Sequence, residues 1–156
     1  MPASDNTMGE FLCDIAVNNT EVVEYGISME ALFSGKVSVP LAGARFDIHV
    51  KGAAHGPKLN GAVVGVDHLL VRADGHSQLH IHARITTEDG QNIALFADGV
   101  AVPQKGTTFL QLRESFSFLT ASQTYTWLNT VQGWALGTVD PGKGEVRLKV
   151  YAAQHL

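Results

Sequence analysis

"LHIHARITTEDGQNIALFADG", Leu79 to Gly99, decides the fold. Leu79, Ile81, Ala83 and Ile85 alternate with His80, His82, Arg84 and Thr86, and a period of two is the pattern of a strand with one apolar face. The run closes on "EDGQ", where Asp89-Gly90 is a hairpin signal, and "NIALFADG" (Asn92 to Gly99) reads as the antiparallel return. Upstream, "AVVGVDHLLVRA" (Ala62 to Ala73) is a nearly continuous apolar run that ends at Asp74-Gly75, so three consecutive strands form a meander.

The same grammar extends outward in both directions. "ARFDIHVK" (Ala44 to Lys51) sets Phe46, Ile48 and Val50 against Arg45, Asp47, His49 and Lys51. Downstream come "TTFLQLRESFSFLT" (Thr107 to Thr120), "TYTWLN" (Thr124 to Asn129), "GWALGTV" (Gly133 to Val139) and "GEVRLKVYAA" (Gly144 to Ala153). No strong helical period interrupts them. Roughly eight to ten strands with short connections predict an all-β fold: an antiparallel β-barrel, closed or nearly so, because closure removes the edges that such a sheet exposes. A β-sandwich is the alternative. Residues 10–156 are expected to form a single domain, with residues 1–9, polar and unpatterned, frayed.

At 156 residues the chain is long enough to bury about two-thirds of the surface its unfolded form exposes. Its single cysteine, Cys13, rules out an internal disulfide. The first residues lack the basic start and apolar centre of a signal peptide, and no run has the length of a membrane span, so a cytoplasmic protein with no membrane partner is expected. A net charge of −4, with 11 scattered basic residues, lacks the footprint of a nucleic-acid binder. The expected partner is a small molecule held in the barrel, since barrels of about eight strands enclose either packed side chains or one ligand. Apolar outer faces such as that of "NIALFADG" would be covered in a dimer or larger ring, so a homo-oligomer is expected.

The seven histidines are the compositional oddity, and His80 and His82 focus the question. Either their apolar neighbours face the core and the imidazoles look at solvent, or the polar face lines a ligand cavity. A metal reading fails on spacing. Cupins also present His-x-His on a strand, but they add a glutamate soon after and a further histidine in a second motif, whereas here Glu88 sits in a turn and "GVAVPQKGTTFLQL" contains no histidine. No metal and no organic cofactor is expected. Acid/base chemistry requires less, because histidine titrates near neutrality and one well-placed group contributes roughly 10²- to 10⁴-fold. Asp67 and His68 interrupt an apolar strand, and a buried carboxylate needs a partner or a pocket. Tyr125, Trp127 and Asn129 share a face of the strand "TYTWLN", offering an apolar wall with an amide beside it. No nucleophile motif surrounds Cys13, and no phosphate loop or dinucleotide fingerprint is present.

"GARFDIHVKG", "HGPKLNGAVV", "VDHLLVRADG", "LHIHARITTEDGQNIAL", "TYTWLN" and "GEVRLKVY", in that order, resemble the family of mostly bacterial proteins known as domain of unknown function 3237. The resemblance runs from about Met29 to Ala152 and implies a lipocalin-like or allene-oxide-cyclase-like barrel, commonly oligomeric, with no single established reaction. Asp67, Trp127 and Asn129 match the family pattern. His68 stands where the family commonly has Trp, and His80 and His82 depart from its usual Leu-Asp-x-Arg. Polar character is kept while residue type changes, which favours a pocket tuned to its own substrate. The expectation is therefore a lyase or isomerase without a cofactor, with His80 and His82 as the acid/base pair and Asp67 orienting a histidine. His68, Arg84, His49, Lys51, Tyr125, Trp127 and Asn129 would contact an apolar or aromatic substrate. The alternatives are a barrel that binds a hydrophobic small molecule without turnover and, further off, a cupin-like metal enzyme.

Overall fold

A computed structural model describes residues 9–153. Eight strands form a closed barrel in which neighbours in sequence are neighbours in space: β1 (Glu10–Glu24), β2 (Ala44–His55), β3 (Gly61–Val71), β4 (Ser77–Thr86), β5 (Asn92–Pro103), β6 (Leu110–Leu119), β7 (Gly133–Asp140) and β8 (Glu145–Ala152). Every pair is antiparallel, and β8 returns to β1 from Glu10↔Ala152 to Asn18↔Glu145. β1 is the longest strand, and register shifts at Phe11/Cys13 and Asn19/Glu21 let it bend around the barrel. The expected barrel is therefore the observed fold, fully closed. The expectation for residues 1–8 lies outside the described residues.

The opening stretch forms the expected antiparallel hairpin of β4 and β5, with His82 opposite Phe96 and Thr86 opposite Asn92. Gly90 takes a φ of +82°, a left-handed conformation that only glycine adopts without strain, and its N–H bonds the Thr87 carbonyl at 2.9 Å.

Up-and-down topology sorts the connections between two ends. A short helix, α1 (Met29–Phe33), caps one end together with the β3–β4, β5–β6 and β7–β8 turns. Ser28 starts this helix by accepting the Ala31 N–H at 2.9 Å. The opposite end, carrying the β2–β3, β4–β5 and β6–β7 connections, is filled by Leu12, Leu59, Ile85, Ile93, Leu128 and Val131, none more than 1% exposed.

"TYTWLN" is not a strand. Residues Thr126–Thr130 form a 3₁₀ helix on the β6–β7 connection, with N–H bonds from Leu128 to Tyr125 and from Val131 to Leu128. The physical reason lies in the spacing of Tyr125, Leu128 and Val131: apolar residues three apart share one side of a 3₁₀ turn, and here Leu128 and Val131 are driven into the barrel end. Among the described residues no helix is long and apolar enough to cross a membrane.

Candidate functional site

The half of the barrel nearer α1 is hollow. Its cavity measures about 300 Å³, and its wall is mostly aliphatic: Ile48, Val50, Leu69, Leu79, Ile81, Leu95, Leu112 and Phe116 contribute to it. Met29, Glu30 and Phe33 of α1 line it near the mouth, with Asn19 and Pro141. Glu30 itself is mostly in solvent, 3.9 Å from Lys36. The remaining polar groups in the wall are Asp67, Ser77 and Glu114. No lysine, arginine or histidine is among the described residues that line this space.

Glu114 is the decisive side chain. It is 5% exposed, and among the described residues neither carboxyl oxygen has a hydrogen-bond partner. Burial, reinforced by the negative charge of Asp67, pushes its pKa up to about 8, so at neutral pH the group is a carboxylic acid. The neighbouring strand makes room for it. A Cβ on Gly99 would lie 2.1 Å from the Arg113 carbonyl oxygen and 2.9 Å from Glu114 Cγ, so only glycine permits β5 and β6 to approach here with the glutamate stem between them. A signal for Glu114 was present in "LQLRESFSFL": it occupies the inward phase set by Leu110, Leu112, Phe116 and Phe118.

Asp67 lies on the inner face of β3 and is held differently. The β3–β4 pairing runs to Asp67↔Ile81 and resumes at Leu70↔Gln78. In the interval, Asp67 Oδ1 accepts the backbone N–H of His80 at 3.0 Å. Burial raises its pKa to about 6, and that hydrogen bond together with nearby His68 and His80 keeps it from rising further. At pH 7 one carboxyl is mainly ionised and the other mainly protonated. Two acids with unequal affinities for a proton share one mostly apolar cavity.

The cavity-facing histidines expected from the sequence are not what the barrel presents. Leu79, Ile81, Ala83 and Ile85 point inward, which turns His80, His82 and Arg84 to the outer face. His68 is outside too, because it follows Asp67 in the strand, and so are His49 and Lys51 on β2. The physical reason is the hydrophobic effect acting on strand periodicity: four aliphatic residues in one phase outweigh two imidazoles and a guanidinium that water solvates well. Outside, the imidazoles form a cluster with ring centroids 4.9 Å apart for His80–His82 and 6.0 Å for His68–His82. His80 Nδ1 lies 2.6 Å from Asp98, and His68 Nδ1 lies 2.9 Å from Asp47. Tyr25 and Arg45 also donate to Asp47, whose carboxyl is held far below the usual carboxylate range by these three partners. Among the described residues no group of His, Cys, Asp or Glu is arranged to hold a metal ion.

Tyr125, Trp127 and Asn129 do not form a pocket wall. Tyr125 and Trp127 pack on the core from the 3₁₀ turn at the end away from the cavity mouth. Asn129 clamps the backbone of Thr120, accepting its N–H and donating to its carbonyl, both at 2.8 Å. Cys13 is fully buried, and burial pushes its thiol up to about 12, so it is no nucleophile at neutral pH. Of the residues singled out in the sequence, Asp67 alone reaches the cavity.

Fold and site together define a small closed β-barrel with an apolar cavity containing two carboxyl groups. The chain belongs to the family described as "Protein of unknown function (DUF3237)", whose model matches residues 32–153. It is 35% identical over 101 residues to a protein of Penicillium herquei named hydroalkoxylation enzyme phnH, an alignment covering 64% of this chain and 59% of that protein's length. A β-barrel-like protein from Acinetobacter baumannii superimposes with a TM-score of 0.75 at 23% identity, over 92% of this chain and 93% of that one. A solved structure of an enzyme from Penicillium herquei matches at a TM-score of 0.59 and 23% identity, covering 95% and 98%. The structural likenesses show a shared fold.

Proposed function

We propose that this barrel is a lyase-type enzyme that adds a hydroxyl group across a carbon–carbon double bond within one small molecule, closing an oxygen ring, or runs the reverse elimination. The carrying observation is the pair of carboxyls with different protonation states inside one apolar cavity. Glu114, protonated and without a partner, gives its proton to one alkene carbon. The substrate oxygen bonds to the other carbon, and its proton passes to the Asp67 carboxylate. Each group then holds what the other began with, and transfer of the proton from the stronger acid, Asp67, back to Glu114 restores the starting state. Exclusion of water strengthens both interactions and keeps solvent from capturing the intermediate. The similarity to a protein named for hydroalkoxylation supports the reaction class.

The competing reading is a carrier, favoured by the aliphatic lining alone. Incubation with a hydroxy-alkene able to close a five-membered ring, in D₂O, separates the two. The enzyme reading expects a cyclic ether with one deuterium on carbon, and a loss of about 10²-fold or more on Glu114→Gln with ligand binding retained. Recovery of the ligand intact would leave the carrier.

A further inference from the structure

We propose that the cavity is selective for positive charge, so that its substrate is an uncharged hydroxy-alkene with an alkyl-substituted double bond, which becomes cationic when Glu114 protonates it. This deepens the reaction proposed above and rests on it for the chemical step. The argument is one of charge inventory. An addition that began with loss of the hydroxyl proton would place negative charge on the substrate, and the described wall offers it no lysine, arginine or histidine. Asp67, the base that would take that proton, would be neutral afterwards, so the new negative charge would have no cationic partner in the cavity. Protonation first reverses every sign. The π electrons form the new C–H bond, the O–H bond of Glu114 breaks with its electrons staying on oxygen, and the cationic carbon faces carboxylates on Asp67 and Glu114. The substrate oxygen then supplies the electron pair of the C–O bond, and its proton leaves to Asp67.

The volume sets the size. An apolar cavity of about 150 Å³ holds benzene, so one of about 300 Å³ encloses roughly a dozen non-hydrogen atoms, the scale of two fused six-membered rings. Ligands that carry a carboxylate or phosphate into the cavity are excluded on the same charge argument.

Three bicyclic probes of nearly equal size test this by titration calorimetry at pH 7: quinolizidine, a protonated tertiary amine at that pH; 2-decalol, uncharged; and decalin-2-carboxylate. The ammonium is expected to bind about tenfold or more tightly than the alcohol, with the carboxylate weakest, and the preference to collapse in Asp67→Asn. A carboxylate binding as tightly as the ammonium, an ammonium preference that survives Asp67→Asn, or failure of all three probes to bind would overturn the proposal. A second arm compares ring closure of a trisubstituted hydroxy-alkene with that of a hydroxy-enone of the same size, and faster closure of the enone overturns it as well. If neither compound is turned over while the ammonium preference and its loss in Asp67→Asn are seen, the reaction fails and the charge selectivity stands.

Discussion

Asp47 and Asp67 are carboxylates on adjacent, paired strands, one on each side of the same wall, and they titrate in opposite directions. Outside, Asp47 accepts hydrogen bonds from Tyr25, Arg45 and His68 and is held well below the ordinary range. Inside, Asp67 has one backbone partner and Glu114 has none, and burial drives both upward. Partners decide the sign where they are available, and desolvation decides it where they are not. The outer network fixes a charge, while the inner pair is left with two unequal affinities for a proton.

The largest expected effect is on turnover. Asp67→Asn and Glu114→Gln should each lower kcat/KM of ring closure by about 10²- to 10⁴-fold, measured by product formation, whereas Asp47→Asn outside should leave it within about threefold. Equal losses on both faces would erase the functional distinction between them.

Stability against pH comes next. Glu114 and Asp67 have folded pKa values raised to about 8 and about 6, so their contribution is complete below their unfolded values near 4 and is lost as pH rises toward 8. Asp47 runs the other way: its contribution is present above its ordinary value of 3.8 and is lost as pH falls below it. Urea midpoints should therefore decline between about pH 4 and pH 8 in the native protein, and the decline should shrink in Glu114→Gln by the order of a few kcal/mol. In Asp47→Asn it is the acid limb that should flatten. A decline of undiminished size in Glu114→Gln would mean that the buried glutamate is not its source.

The rate profile sharpens the pair further. kcat/KM should be bell-shaped, with limbs near 6 and 8 that belong to the coupled pair, and Asp67→Asn should remove the acid limb from whatever activity remains. The smallest effect is expected from His80→Gln and His82→Gln, which should each change kcat/KM by less than about threefold, since both imidazoles lie across the wall from the cavity. A hundredfold loss in either would return catalysis to the outer face.

The barrel was legible because it depends on strand period and turn residues, both local properties. Alternation from Phe46 to Lys51 and from Leu79 to Thr86, with Asp-Gly turns between runs, specifies an antiparallel meander wherever apolar residues seek one side. Much less of the site was legible. Asp67 stood out as an acid in an apolar run, but Glu114 sits among residues whose outward phase is also polar, so only its phase distinguishes it from Arg113 and Ser115. The histidines attracted attention by residue type, yet the choice of face belongs to the whole strand. Tyr125 and Trp127 carry a related ambiguity: their aromatic and threonine-rich stretch favours a strand by composition, while the spacing of three from Tyr125 to Leu128 to Val131 favours the 3₁₀ turn that forms.

The eighth seam has a further consequence for how this molecule assembles. Seven seams join strands that follow one another along the chain, while β1 and β8 meet across a separation such as that of Asp14 and Lys149, 135 positions apart. Closing that loop costs the most chain entropy of any contact between strands, and it comes without a hairpin to guide it. Until it closes, the carboxyls have no sealed compartment to occupy, and water keeps Glu114 an ordinary, ionised surface acid. The chemistry of the interior is then a property of the closed tube, and it rests on the one seam whose strands are not consecutive in the chain.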